Sequence, residues 1–393
     1  MMTGEIRYHL AEDTIDNRDI DALADEWLKS HPRLTMGPVT KQFEVKWSRW
    51  LGMDYSIFCN SGSSANELMY AALLYSGRLR NLNVIVPSVG WGTTISPAMR
   101  LGFRPIMCEA DPDTFGLDLN HLESLLERHD PATVVMVHEL GVPNKIDEIL
   151  ALKDRYGFFL LEDACAAAGS SYRGENLGCF GDLSSNSWYF GHQLSTIEGG
   201  TVSTNDPDLR DLVLMLRSHG WLKDLEPARR KAWMEKYKID DFHEPFTFVV
   251  PGYNVRPTDL QAFIGLGQID KMEWLIQRRA ANHALYRKLL GDRFRMQNPP
   301  EGSAVCSIHC GILAAGNSER RQIVSALVEN GIETRIFSAG NLGLHPFWTD
   351  AYGEFHAPMA DRIHNTGLFL PNHPSLAEPD VRFIADVVWG SVQ

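Results

Sequence analysis

Short apolar runs and stretches of helical periodicity alternate along the first half of the chain. The β-prone runs are Tyr55–Cys59, Asn83–Pro87, Pro105–Glu109, Thr133–His138 and Phe158–Glu162. Between them, Ala65–Leu74, Thr93–Arg100, Leu119–Glu127 and Lys145–Arg155 carry apolar residues at the three-to-four spacing of an amphipathic helix. Strands of four to six residues alternating with helices predict βα units and a largely parallel sheet. Ahead of them, residues 18 to 50 read as mostly helical, with a break around His31–Pro38. Beyond Gly252 the pattern changes. A helical stretch from Asp259 to Leu290 leads into a smaller α/β unit, with strands near Ala304–Ala314 and Glu333–Ile336 around a helix at Ser318–Asn330. The expected division is a large domain over 1–257, including the N-terminal helical segment, and a linking helix with a smaller C-terminal domain over 258–393. The charged strip Lys223–Lys238 reads as a solvated helix or surface excursion.

With 393 residues, 44% of them apolar and 22% charged, the chain is long enough for more than one core. A net charge of -13 argues against general nucleic-acid binding, which needs a cationic surface to displace counterions. The six cysteines are scattered, and Cys306 and Cys310 match no metal signature; no metal is expected. No apolar run approaches membrane-spanning length and the first residues show no signal-peptide core, so a cytoplasmic protein without membrane partners is expected.

Polar residues cluster where strands should end, which is where ligands bind open α/β sheets. Asn60-Ser-Gly-Ser-Ser-Ala-Asn66 joins a strand to a helix, and such a turn makes an anion cradle from backbone N–H groups and hydroxyls; an empty serine-rich N-cap has the same look. Asp163 ends an apolar run, as either a turn residue or a carboxylate facing a pyridine nitrogen. Trp91, in Pro87-Ser-Val-Gly-Trp-Gly-Thr-Thr94, is a core aromatic or a stacking platform.

In order along the chain, Thr35-Met-Gly-Pro38, Asn60 to Asn66, Val86-Pro87 with Trp91, Leu161-Glu-Asp163, Ser187 through Gly200, Arg217-Ser-His-Gly220 and Pro251-Gly-Tyr-Asn-Val-Arg-Pro257 resemble the motifs of the DegT/DnrJ/EryC1/StrS sugar aminotransferases. That resemblance covers nearly the whole chain. It implies an aspartate-aminotransferase-like, fold type I α/β architecture and pyridoxal 5′-phosphate (PLP) as cofactor, with its amine form (PMP) as intermediate. By position, Ser63, Ser64 and Ser187 would hold the cofactor phosphate, Asp163 the ring nitrogen and Trp91 the ring face. Asn254 would reach the phosphate of a neighbouring subunit, which makes a homodimer with shared sites.

One position departs from the common pattern. His192 stands where the family's cofactor lysine would be. An imidazole moves protons but, having no primary amine, cannot bind the cofactor covalently. With the surrounding Tyr189-x-x-His192-x-x-x-Thr196-x-Glu198-Gly-Gly, this resembles a lysine-free branch acting on GDP-linked 4-keto-6-deoxy sugars. The implied reaction is C3 dehydration with L-glutamate as amino donor, His192 being a base with a pKa near 7 and His219 a second catalytic candidate. An aminotransferase, or a dehydratase for another nucleotide sugar, is the alternative. Another lysine-free branch carries an iron–sulfur cluster on cysteines beyond the histidine segment; here no cysteine lies between 179 and 306. Arg256, Arg335, Asn341, His345 and Lys223 are candidates for sugar-nucleotide or carboxylate contacts. Two further departures are Ala166, where many relatives are polar near the ring hydroxyl, and Lys223, where an arginine is expected.

Overall fold

A computed structural model describes residues 5–392. Its central sheet has seven strands in the order β1-β9-β8-β5-β4-β2-β3. They are β1 (Tyr55–Cys59), β2 (Asn83–Pro87), β3 (Arg104–Cys108), β4 (Thr133–Val137), β5 (Phe159–Asp163), β8 (Leu183–Ser187) and β9 (Gly200–Thr204). Only β9 runs against its neighbours; the other pairings are parallel. A two-residue hairpin, β6 (Ser171–Tyr172) and β7 (Glu175–Asn176), pairs with β10 (Ser303–Ala304), and β11 (His309–Leu313) pairs antiparallel with β12 (Gly367–Pro371).

The parallel strands send alternate side chains to opposite faces that are both covered by helices, so β2 and β4 are apolar over nearly their whole length. Val84, Val86, Val135 and Leu161 pack under the helices Gly62–Ser76, Gly92–Arg100 and Pro207–Arg217. Ile85, Val134, Met136 and Leu160 pack on the opposite face under Leu119–His129 and Ile146–Tyr156. Each such fully buried aliphatic side chain contributes about 1.5–3 kcal/mol. A third cluster joins Phe58 and Trp188 to the helices Pro38–Leu51 and Asp259–Asp270. Those two helices are tied by one carboxylate: Asp259 Oδ1 accepts from the Gly37 and Thr40 amides at 2.7 and 2.9 Å and from the Thr40 hydroxyl at 2.7 Å.

Four details differ from the sequence reading. The helical region before His31 is a short α-helix, a π-turn segment and a 3-10 turn in succession, because Ala22–Trp27 buries nothing that would hold regular geometry. Strands β8 and β9, which flank the His192 segment, are not read as strands from the sequence; only Ser187 and Gly200, at their inner ends, fall in a motif. Leu-Ser-Ser-Asn-Ser and Gly-Thr-Val-Ser-Thr lack an apolar pattern, yet every residue in them is buried. The span Ala304–Ala314 is split between β10 and β11. Glu333–Ile336 is no strand; it makes isolated contacts with β12, such as the Phe369 amide donating to the Arg335 carbonyl at 2.9 Å. The charged strip does form a helix, Pro227–Tyr237, with no buried residue. Among the described residues no helix is long and apolar enough to cross a membrane.

Candidate active site

The carboxyl ends of β2, β4, β5 and β8 open on one edge of the sheet, and the polar residues converge there. Successive residues on β5 point to opposite faces. Glu162 therefore turns away from the site, where it accepts from the Phe180 and Gly181 amides and meets His138 Nε2 at 2.9 Å. Asp163 turns into the site and is 3% exposed. Its Oδ2 accepts from Asn66 Nδ2 at 2.9 Å and from the Thr94 hydroxyl at 2.7 Å. The Ser185 hydroxyl donates to Asn66 Oδ1 at 2.6 Å and so orients that amide. Three elements thus fix one carboxylate.

Above Asp163 lies the N-terminus of the helix Gly62–Ser76, capped by the Ser61 hydroxyl, which accepts from the Ser64 amide at 3.1 Å. Gly62 is required by close approach. A Cβ there would stand 2.5 Å from Ser187 Cβ. The contact brings the Ser187 side chain against the helix start, beside Ser63 and Ser64. The Ser63 hydroxyl donates to Thr93 Oγ1 at 3.0 Å and links this turn to the one that presents Trp91. Trp91 caps the next helix with its ring 53% exposed, and the Arg335 guanidinium lies 5.6 Å from the ring centroid.

His192 sits in the connection between β8 and β9, placed by the register that pairs Ser187 with Gly200. Its amide donates to the Tyr189 carbonyl at 2.9 Å, and Tyr189 packs edge-on to the imidazole. The ring is mostly buried, and its Nδ1 is closed off from solvent with no hydrogen-bond partner among the described residues. Burial pushes the imidazole down to about 4; the Asp163 carboxylate opposes this, while Arg279 and Arg335 reinforce it. The value near 7 expected from sequence is thereby corrected, because desolvation outweighs the one nearby carboxylate.

A second group forms around the segments 217–223 and 253–256. Ser218 bridges Asn254, Arg256 Nε donates to Asn254 Oδ1 at 3.1 Å, and the His219 ring stands 4.8 Å from that of Trp221. His219 has a left-handed backbone (φ 61°), and its amide donates to the Tyr253 carbonyl at 2.6 Å. Lys223 Nζ lies 3.5 Å from the Trp221 ring centroid. The Asn60 amide donates to the Val255 carbonyl at 3.0 Å, which ties this group to the turn before Ser61.

Asn341 and His345 border the Ser88–Trp91 loop but are committed locally. Asn341 is fully buried, and both its amide protons are used, on the Phe355 carbonyl at 2.9 Å and Asp361 at 2.7 Å. His345 Nε2 meets the Ala339 carbonyl at 2.8 Å. Asn341 is therefore corrected from a ligand contact to a support of this loop, since no amide proton is left to donate.

Asn66, Thr94, Ser185 and Glu139 are missed by the sequence reading. The first two lie inside motifs already singled out, and Ser185 is two residues before Ser187 on the same strand face. Nothing local marks Glu139. It follows β4, is 5% exposed, and sits against Gly90 with Arg335 and Asp163 near by; burial pushes its carboxyl up to about 7. Lysine is not near Asp163 by either of the obvious routes. Lys145 is paired with Asp111 at 2.6 Å and Lys223 lies on Trp221.

These residues fit a planar, anionic pyridine cofactor. A serine-lined helix N-terminus suits a phosphate, a buried carboxylate held by two donors suits a protonated ring nitrogen, and an exposed indole offers a stacking face. Among the described residues no cluster of His, Cys, Asp or Glu could hold a metal ion.

The GDP-4-keto-6-deoxy-D-mannose 3-dehydratase of Yersinia pseudotuberculosis is 32% identical to this chain over 378 residues, spanning 94% of each. A solved GDP-4-keto-6-deoxymannose-3-dehydratase, in a histidine-to-asparagine mutant form with bound GDP-perosamine, is similar at a TM-score of 0.88 and 28% identity, covering 97% of this chain and 100% of that one. A structure of GDP-4-keto-6-deoxymannose-3-dehydratase with a trapped PLP-glutamate geminal diamine matches at a TM-score of 0.87 and 29% identity, again over 97% and 100%. The architecture is that of fold type I PLP enzymes. With residues 14–389 matching its sequence model, the chain belongs to the DegT/DnrJ/EryC1/StrS aminotransferase family.

Proposed function

We propose that the protein is a PLP- and L-glutamate-dependent 3-dehydratase of GDP-4-keto-6-deoxy-D-mannose. The products are GDP-4-keto-3,6-dideoxy-D-mannose, 2-oxoglutarate and ammonia. The observation that carries this reading is His192, a histidine in the cofactor-lysine position of an otherwise complete PLP pocket. The similarity to 3-dehydratases over nearly the whole chain supports the substrate class.

When bound, the cofactor carries the amino group of glutamate to the sugar and acts as the electron sink for both halves of the reaction. Ser63, Ser64 and Ser187, with the helix N-terminus, hold its phosphate. Asp163, fixed by Asn66 and Thr94, keeps the ring nitrogen protonated, and Trp91 covers one face. His192 is neutral at neutral pH, so it is ready to accept a proton from Cα of glutamate in the first half. In the second half it is the base that starts loss of the sugar's C3 hydroxyl. Having no primary amine, it leaves the site without a covalent tether, which favours release of the deaminated sugar over return of nitrogen to it. Arg335, beside Trp91, is placed to meet a carboxylate or diphosphate with its planar fork of donors. Arg256 and Lys223 offer cations from the second group.

This reading includes a homodimer in which Asn254 serves the partner's phosphate. The segment with Phe242, Phe246 and Phe248 at 87, 78 and 58% exposed supports a covered face there. Six free thiols suit a reducing, cytoplasmic compartment.

The test is to incubate the protein with PLP, L-glutamate and GDP-4-keto-6-deoxymannose and to assay sugar and ammonia together. A 3-deoxy sugar with one ammonia per turnover is expected. An aminated sugar without ammonia would reject the reading.

A further inference from the structure

Arg279, on the helix Met272–Leu290, is a cation buried without a counter-ion. It is 1% exposed, and among the described residues no carboxylate acts on it. Burial alone pulls its guanidinium down to about 10. Such a charge is costly to desolvate, so its donors need strong acceptors. The two terminal nitrogens find three main-chain carbonyls, while Nε has no hydrogen-bond partner among the described residues. Nη1 donates to Asn372 at 2.7 Å and to Ile308 at 3.1 Å, and Nη2 donates to His192 at 3.1 Å. The Asn372 side chain returns a bond to the Arg279 carbonyl at 3.3 Å and another to Ser307 at 2.7 Å.

The guanidinium therefore clamps three separate segments: the turn that carries His192, the approach to β11 and the end of β12. The neighbouring Gln193 side chain also ties this turn down, donating to the Ala166 and Cys306 carbonyls at 2.6 and 3.0 Å, but among the described residues only Arg279 bonds the His192 carbonyl itself. The charged and titratable groups facing the imidazole are Asp163 from β5, Arg335 from the 333–338 segment, His309 from β11 and Arg279 itself, with Tyr189 on its own turn.

We infer that Arg279 is a positioning residue for His192: it anchors the turn through the His192 carbonyl and fixes where the imidazole stands. The inference rests on His192 being the proton carrier. A fork with a fixed plane can bind carbonyls from three segments at once, whereas a lysine ammonium cannot hold the same geometry. Small errors in the base's position are expensive in proton transfer.

The test uses Arg279→Met and Arg279→Lys in the full-length protein. His192 titration is followed by NMR of histidine-labelled protein without cofactor and assigned with His192→Asn; thermal unfolding checks the fold. In Arg279→Met the His192 midpoint is expected to rise, because one of the two nearby positive charges is removed. In Arg279→Lys, which keeps the charge, it stays low. With PLP and glutamate, both variants are expected to lose at least about 10-fold in the rate of 2-oxoglutarate formation at saturating glutamate, with KM changed less than about twofold. A folded Arg279→Met with an unmoved midpoint and an unchanged rate would overturn the inference. If the Met variant does not fold, Arg279→Lys with wild-type rate and pH profile overturns it. Failure of the His192 reading shows separately, as full 2-oxoglutarate formation by His192→Asn.

Discussion

A buried imidazole in place of an amine is the chemical centre of this site. Burial depresses the His192 proton affinity, so in the cofactor-free protein the ring should stay neutral from pH 6 to 8 and protonate only as the pH falls towards about 4. An NMR midpoint near 6.5 would contradict that. Glu139 is displaced the other way, to about 7, and should be partly protonated at neutral pH. Asp163 is held by two side-chain donors that reach nothing else at that oxygen. Asp163→Asn, which keeps the shape and loses the charge, is expected to lower the rate of glutamate half-transamination by at least about 100-fold. Stopped-flow absorbance of the cofactor checks it.

The elements matter through their ends. The helix starting at Gly62 approaches β8 so closely that a methyl group has no room: the Cβ of Gly62→Ala would stand 2.5 Å from Ser187 Cβ. That substitution should push the helix start off Ser187 and weaken PLP binding by about 10-fold or more, read by fluorescence titration, because the phosphate cradle depends on that contact. The Asp259 carboxylate couples the helices Pro38–Leu51 and Asp259–Asp270 through charge-assisted bonds to the Gly37 and Thr40 amides. Asp259→Ala leaves those N–H groups without partners at a partly buried helix N-terminus, where the Thr40 amide is shielded from water. It should cost about 2–4 kcal/mol in a denaturant melt, if unfolding is reversible.

At the scale of the molecule, several histidines are buried neutral at once. His192, His283 and His373 are each pulled down to about 4 by burial, and His309 lies well below the ordinary range. A group whose folded pKa is depressed from 6.5 binds fewer protons folded than unfolded between about 4 and 6.5, so stability rises with pH there. Their contribution is complete above about 6.5 and is lost as pH falls towards 4. Glu139 has the opposite sign, its contribution being lost as pH rises from 4.5 through 7. Glu44 is raised by burial as well, so four histidines stand against two carboxyls, and the unfolding temperature is expected to drop from pH 6.5 to 4.5. A flat profile over that range would mean the histidines are hydrated.

The order of βα units, the family motifs and the exchange of lysine for histidine are all legible in the sequence by itself. They depend on local periodicity and on residue identity at fixed spacing. Strands β8 and β9 show no apolar alternation, because a central sheet can bury serines and threonines that bond to neighbouring segments. Asn66, Thr94 and Ser185 as the frame of Asp163, the depressed base, the withdrawal of Asn341 and the clamp by Arg279 come only with the tertiary structure. Each depends on groups 14 to more than 100 residues apart meeting in a dry site, and desolvation and long-range contact leave no mark on local sequence.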